Sequence, residues 1–117
     1  MIFQIPNLKL PSLLNVRWSW QKALSVKTKQ KKAVKRSLRN TKLPPPPLVV
    51  TIIRVGPRRL DDDNLQGACK YVRDQIAELV GTDDGSPLYT WVYQQRSGKY
   101  GVEVEISQRG QAPACHT

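Results

Sequence analysis

The sequence predicts an α+β fold: a small mixed β-sheet with two main α-helices in one domain. Its 117 residues are the length of a single domain with a modest hydrophobic core. The apolar, β-branched run 48–55 is typical of a central strand that is buried on both faces. Two segments, 25–39 and 63–80, repeat apolar residues at helical spacing. We expect the domain to span residues 1–108 and residues 109–117 to form a flexible polar tail.

The first 40 residues are predicted to contribute an edge strand and a basic helix. Met1–Ile5 is short and apolar and ends at Pro6, as edge strands often do. Trp18 and Trp20 alternate as in a strand, and packing in the core or at its rim is favoured over stacking on bases. The polar positions of helix 25–39 are basic without acidic partners one turn away, which favours phosphate contact over a merely solvated face. Its candidate nucleic-acid contacts are Lys27, Lys29, Lys31, Lys32, Lys35 and Arg36.

The second half is predicted to contain the longer amphipathic helix and two strands. Asp63 resembles the first residue of a capping box at the start of helix 63–80. Segments 88–94 and 100–106 alternate in hydropathy around a Ser-Gly turn, a pattern that predicts a β-hairpin. We expect at least one of Trp91 and Tyr93 to pack in the core.

Charge is distributed very unevenly along the chain, whose net charge is +10. The first 60 residues contain 14 lysines and arginines and no acidic residue, whereas the remainder holds 5 basic and 9 acidic residues. This asymmetry indicates a polyanionic partner, with nucleic acid favoured over an anionic membrane. No segment approaches the apolar length of a membrane-spanning helix. Cys69 and Cys115 are interpreted as free thiols of a reducing compartment, which predicts a cytoplasmic protein.

Seven of the nine acidic residues lie between Asp61 and Asp84, and three of them are consecutive, Asp61 to Asp63. One interpretation is a solvated acidic turn that caps a helix. The other is a site for Mg²⁺ or Mn²⁺, which prefer carboxylate oxygens. If the run is extended, Asp61 and Asp63 point the same way and Asp62 points away. A divalent ion there would polarise a phosphate and activate a water molecule, with a nearby cationic side chain stabilising the developing charge.

The segment Asp61-x-Asp63-Asn64-Leu65, followed by an amphipathic helix and then by Asp83-Asp84, resembles the RusA family of Holliday-junction resolvases. The resemblance extends from about residue 48 to about residue 106. It implies a RusA-like fold and a homodimeric, Mg²⁺-dependent endonuclease that acts in DNA recombination and repair. It also implies a bacterial protein, of the type encoded by phages or prophages, that cuts four-way or other branched DNA by paired phosphodiester hydrolysis.

The resemblance assigns catalytic and metal-binding roles to three aspartates. The first two are Asp61 and Asp63, and the third is Asp84 in preference to Asp83. The 17 residues from Asn64 to Val80 would form a helix of roughly 25 Å, which separates Asp84 from Asp63 within one chain. A two-fold dimer could instead bring the partner's Asp84 to this site.

The sequence departs from the family where the catalytic lysine is expected, because Gly67 stands four residues after the second aspartate. Lys70 and Arg73 could supply the missing charge, and Lys70 is preferred. Arg58 and Arg59, together with Arg73, join the basic helix as expected DNA contacts. The departure keeps open one alternative, a non-catalytic phage nucleic-acid-binding module whose metal site is degenerate or whose acidic cluster is structural. A third possibility is a structural or regulatory partner protein that uses the basic helix to bind an acidic protein surface.

Overall fold

Four strands and three helices make up the parts of the chain that the computed structural model describes, which are residues 1–12, 17–39, 41–81 and 87–108. This architecture confirms the predicted α+β class. In chain order the elements are β1 (Ile2–Pro6), α1 (Trp20–Leu38), β2 (Leu48–Gly56), α2 (Asp62–Ala68), α3 (Lys70–Leu79), β3 (Tyr89–Ser97) and β4 (Gly101–Gln108). The predicted tail, residues 109–117, lies outside the described residues.

The strands form one mixed sheet in the order β1-β4-β2-β3. Strand β2 is antiparallel to β4 on one side and parallel to β3 on the other. Strand β1 pairs only with β4 and so forms an edge. The central position of β2 and the edge position of β1 are both as predicted, because a strand that is apolar on both faces is stable only inside a sheet.

The predicted β-hairpin is wrong, because β2 lies between β3 and β4. The chain leaves β3 at Ser97, crosses the end of β2 and returns as β4 on the other side. Gly98 donates a hydrogen bond from its N–H to the carbonyl of Gly56 at 3.1 Å, which fixes the crossing. Gly98 has φ +158°, and an added Cβ would come within 3.1 Å of the Val55 side chain. Alternating hydropathy predicts which face a residue occupies, but it does not identify the neighbouring strand.

The three helices share one hydrophobic core with one set of alternating strand residues. Val50 and Ile52 of β2 pack with Val104 of β4 in this core. The helical members include Val34 of α1 and Val72 of α3, both fully buried. Trp91 and Tyr93 are partly buried against the same cluster, which confirms that at least one of them packs in the core.

The helix boundaries differ from the prediction at both helices. Helix α1 begins at Trp20, five residues earlier than predicted, because the Ser19 hydroxyl caps it by accepting a hydrogen bond from Lys22 N at 3.2 Å. The predicted helix 63–80 is divided at Cys69 into α2 and α3. Trp20 is 72% exposed, so its predicted packing in the core or at its rim is wrong, whereas Trp18 is half-buried. Among the described helices, none is both long and apolar enough to cross a membrane.

Candidate functional site

The acidic cluster lies at the start of α2, immediately after the loop that follows the central strand. Asp61 is the N-cap residue and has an extended backbone, whereas Asp62 and Asp63 belong to the first helical turn. All three side chains are exposed. The capping residue is therefore Asp61, and the prediction of Asp63 as the cap is wrong. Since only Asp61 is extended, strand alternation does not set the relative directions of the Asp61 and Asp63 carboxylates.

A short chain of hydrogen bonds holds the Asp61 carboxylate in place. Its Oδ1 atom accepts from the backbone N of Asn64 at 2.9 Å and from Asn64 Nδ2 at 2.8 Å. Asn64 Oδ1 in turn accepts from the Ser12 hydroxyl at 2.5 Å. Both of these hydrogen bonds to Asp61 use Oδ1. Asn64 thus positions Asp61 and links it to the segment after β1.

Two polar side chains fix the loop that carries the cluster. The amide of Gln95 on β3 binds both backbone groups of Leu60: its Oε1 accepts from Leu60 N at 2.9 Å, and its Nε2 donates to Leu60 O at 2.6 Å. Arg54 is only 5% exposed, and it donates to the carbonyls of Leu10 at 2.8 Å and Arg58 at 2.8 Å. Side chains near the ends of β2 and β3 therefore hold the backbone of the loop that leads into the acidic cluster.

Sequence reasoning missed Gln95 and Arg54. The available signal was a polar residue at an inward position of a strand, because Arg54 lies two residues beyond Ile52 on the buried face of β2. Gln95 is directly opposite Arg54 on β3, so the two register partners occupy the same inward layer. A buried arginine in a central strand needs several acceptors, which is a reason to look for a structural role of this kind.

Arginines gather beside this loop at the ends of β2 and β3. Arg58 and Arg59 are exposed, and together with Arg96 they line a small cavity of about 30 Å³. Arg96 is engaged by Glu103, to which it donates two hydrogen bonds at 2.9 and 2.8 Å; these contacts raise the pKa of the arginine further. Arg58 and Arg59 are therefore the exposed cations nearest in sequence to the acidic cluster.

Lys70 and Arg73, the two candidates for the missing catalytic cation, have different environments. Lys70 is exposed and is the first residue of α3. Arg73 is half-buried, and its Nη1 donates to the hydroxyl of Tyr93 at 2.7 Å. The Tyr93 contact fixes Arg73 against the sheet, whereas the Lys70 ammonium is on the surface. The preference for Lys70 over Arg73 stays a prediction. Gly67, which stands where the resolvases that the sequence resembles have a lysine, precedes the C-cap of α2 at Cys69, and Lys70 begins α3.

The basic residues of α1 fall into two groups. Lys31 forms an ion pair with Glu78 of α3 at 3.4 Å, and Lys27 lies over the ring of Tyr71 at 5.9 Å. Lys31 is half-buried, whereas the exposed basic residues are Lys22, Lys27, Lys29, Lys32, Lys35 and Arg36. The sequence contains no acidic partner within the helix, but α3 supplies one from 47 residues away, which helical spacing cannot reveal. The exposed group is therefore the part of α1 that is available to phosphates.

The complete metal-binding triad cannot be assembled from the residues described. No group of three or more His, Cys, Asp or Glu side chains positioned to hold a metal ion occurs within 1–12, 17–39, 41–81 and 87–108. The predicted third ligand, Asp84, and its alternative, Asp83, lie outside these ranges. Asp61 and Asp63 provide exposed carboxylate oxygens, the donor type that Mg²⁺ and Mn²⁺ prefer.

Comparison of the chain with protein-family models, with curated proteins and with solved structures gave no match. Its function is therefore argued from its own residues.

Proposed function

We propose that this protein is a Mg²⁺-dependent endonuclease that hydrolyses phosphodiester bonds in branched DNA, with the four-way junction as its substrate. The observation that carries the proposal is the hydrogen-bonded chain from Ser12 through Asn64 to Asp61. A helix cap needs only one acceptor for a backbone N–H. Here the Asn64 side chain orients Asp61, and the Ser12 hydroxyl orients Asn64. Another exposed carboxylate, Asp63, follows in the first helical turn.

The residues present fit a divalent cation. Asp61 Oδ2 and the Asp63 carboxylate would be its ligands from the described residues, and the resemblance to resolvases adds Asp84. When bound, Mg²⁺ would polarise the scissile phosphate and lower the pKa of a water molecule. The backbone beneath these ligands is fixed by Gln95, whose amide binds both backbone groups of Leu60. Such rigidity suits catalysis, because metal ligands must be held close to one geometry.

A nuclease of this kind must also bind DNA, a polyanion, next to an acidic cluster, and the surface cations would provide that binding. Lys70 is the exposed cation proposed to stabilise the charge that develops on the phosphate during hydrolysis. Arg58 and Arg59 flank the cluster, and the exposed lysines of α1 extend the positive surface. Their combined positive potential offsets the repulsion between the DNA backbone and three adjacent carboxylates. As in the resolvases that the sequence resembles, a homodimer would place two such sites on one junction.

One observation favours a second function, that of a non-catalytic nucleic-acid-binding module. Asp61 to Asp63 are a favourable helix start by themselves, because one carboxylate caps the helix and the others interact with its positive N-terminal dipole. Gly67 occupies the position of the catalytic lysine in the resolvases that the sequence resembles. In this alternative the cluster stabilises α2 only, and the cations bind DNA without cleavage.

Cleavage of a labelled four-way junction tests the proposal, with a linear duplex of the same sequence as the control substrate. Wild-type protein should make paired nicks in the junction with Mg²⁺ and none with EDTA. Asp63→Asn should abolish cleavage and leave junction binding intact or tighter, because it removes negative charge near the phosphate. Asp62→Asn is the matched control, since it removes the same charge from the same helical turn and should retain activity.

Three results would contradict the nuclease. Binding without cleavage in both Mg²⁺ and Mn²⁺ would establish the binding module instead. Equal loss of cleavage in Asp62→Asn and Asp63→Asn would show that the total charge of the helix start matters and that no particular ligand does. Loss of junction binding together with unfolding in Asp63→Asn would assign that residue to the fold.

A further inference from the structure

The first half of α1 extends beyond the hydrophobic core. Of the 19 residues in this helix, only Gln30, Val34 and Leu38 are buried, and all three belong to its second half. No residue from Trp20 to Lys29 is buried. These ten residues correspond to roughly 15 Å of helix. A helical segment of this kind gains little stability from the core, so its side chains are available for another purpose.

One face of this projecting half combines an aromatic ring with positive charge. Trp20 is 72% exposed and Leu24, one turn later, is 53% exposed. Together with Lys29 and Lys32 they lie on one open face of the helix, whose other residues, Gln21, Ser25 and Thr28, are uncharged. The neighbouring Trp18 differs, because it is half-buried and its ring faces the Lys22 ammonium at 5.1 Å. Trp20 is thus an accessible indole at the start of a basic helix face.

The chemistry of this helix face distinguishes between a protein partner and a nucleic acid. Helix α1 contains seven basic residues and no acidic residue, so a second copy of this chain would meet like charge there. A stable protein interface also needs roughly 800 Å² per partner. The large exposed apolar side chains of this helix face are one indole and one leucine. An isolated aromatic ring beside lysines is instead what proteins use to bind single-stranded nucleic acid, in which bases stack on the ring and phosphates contact the cations.

We propose that Trp20 stacks on an unpaired DNA base while Lys29 and Lys32 bind phosphates of the same strand. The inference rests on the proposed function only in taking DNA as the partner. Nine residues separate Trp20 from Lys29, which corresponds to about 13 Å along the helix. A distance of this size covers a few nucleotides of a single strand, so the ring and the lysines can contact the same strand. The preferred ligand is therefore DNA in which several consecutive nucleotides are unpaired, as at an opened branch point or a flap.

Equilibrium binding in EDTA tests this inference without requiring catalysis. The probes are a fluorescein-labelled oligothymidylate of about twelve nucleotides and a mixed-sequence duplex of the same length, at one salt concentration. Wild-type protein should prefer the single strand. Trp20→Ala should weaken single-strand binding by about 5- to 150-fold and leave duplex binding unchanged. Trp20→Phe should restore most of the affinity, because phenylalanine retains an aromatic face.

Leu24→Ala is the matched control on the same face, and it should retain the single-strand preference because it removes apolar area but no ring. Unchanged single-strand affinity in Trp20→Ala would overturn the inference. So would equal losses on single strand and duplex, or conversion of a dimer to a monomer by Trp20→Ala in sedimentation. The first outcome would mean that Trp20 does not touch DNA, the second that it makes no stacking contribution, and the third that it belongs to a protein interface.

The two proposals fail separately. Single-strand binding that depends on Trp20, without any junction cleavage in Mg²⁺, would refute the nuclease and support the stacking site. Junction cleavage together with unaltered single-strand binding in Trp20→Ala would refute the stacking site alone.

Discussion

Replacement of Asp61 separates its role as a helix cap from its proposed role as a metal ligand. Asp61→Ala removes the acceptor of two hydrogen bonds, from the backbone and the side chain of Asn64. Asp61→Asn keeps a carbonyl oxygen at the same position, and asparagine caps helices as well as aspartate does. It replaces only Oδ2, the oxygen assigned to the metal, with an uncharged amide nitrogen. Asp61→Ala therefore changes both stability and charge, whereas Asp61→Asn changes the charge and keeps the cap.

The expected magnitudes follow from the exposure of this cap. Loss of an N-cap side chain costs about 1 kcal/mol. The bond from Asn64 Nδ2 is exposed, so water replaces it at little further cost. For a domain of this size, about 1 kcal/mol lowers Tm by roughly 4 °C. Asp61→Asn should change the free energy of unfolding by less than about 0.5 kcal/mol. Both variants should lose junction cleavage.

Thermal unfolding followed by circular dichroism measures the first effect, and junction cleavage in Mg²⁺ measures the second. Full cleavage by Asp61→Asn would refute the reasoning, because the carboxylate would then be a cap and nothing more. A large loss of stability in Asp61→Asn would also contradict it, since the amide oxygen can make the same two hydrogen bonds.

Three further predictions concern the support of the site, its buried thiol and its basic helix. Gln95→Met should lower the free energy of unfolding, measured by urea denaturation, by about 2 kcal/mol, because both backbone groups of Leu60 lose their hydrogen-bond partner. A change below about 0.5 kcal/mol would show that water replaces the amide. Burial raises the pKa of Cys69 from 9.0 to about 12, so the folded state holds the thiol proton and stability should fall as pH rises above 9. Between pH 7.5 and 10.5 wild-type protein should lose about 2 kcal/mol more than Cys69→Ala does, and an identical loss in both would contradict this origin. Lys29→Ala should reduce the slope of log affinity for duplex DNA against log salt concentration by about one. Lys31→Ala should leave this slope unchanged, because Lys31 is paired with Glu78. Equal slopes in the two variants would mean that exposure does not decide which lysines bind phosphate.

Much of the fold could be predicted because the relevant signals are local. The β-branched run of β2 specifies a strand that is buried on both faces, and the Pro6 end of β1 is compatible with an edge. Apolar residues at helical spacing identify the buried sides of α1 and α3, in which Val34 and Val72 are fully buried. Such periodicities span only two to four residues, so they survive in the sequence whatever the distant parts of the chain do.

The candidate site could be predicted only in part. The three consecutive aspartates and the basic first half are visible in the sequence, and they indicate carboxylate chemistry beside a polyanion. The sequence does not show which aspartate caps the helix, because the choice between Asp61 and Asp63 depends on where the preceding loop ends. Gln95 fixes that point through contacts with Leu60, 35 residues away in the chain.

The sequence by itself therefore determined the class of fold, the central strand and the separation of charge between the two halves. The tertiary structure alone decided that β2 lies between β3 and β4, that Ser12 reaches Asn64 across 52 residues, and that Lys31 is paired while Trp20 is exposed. The physical reason is the range of each interaction. Hydropathy patterns record the burial of one face of an element, whereas strand order, ion pairs and hydrogen-bonded chains depend on which distant elements that face meets.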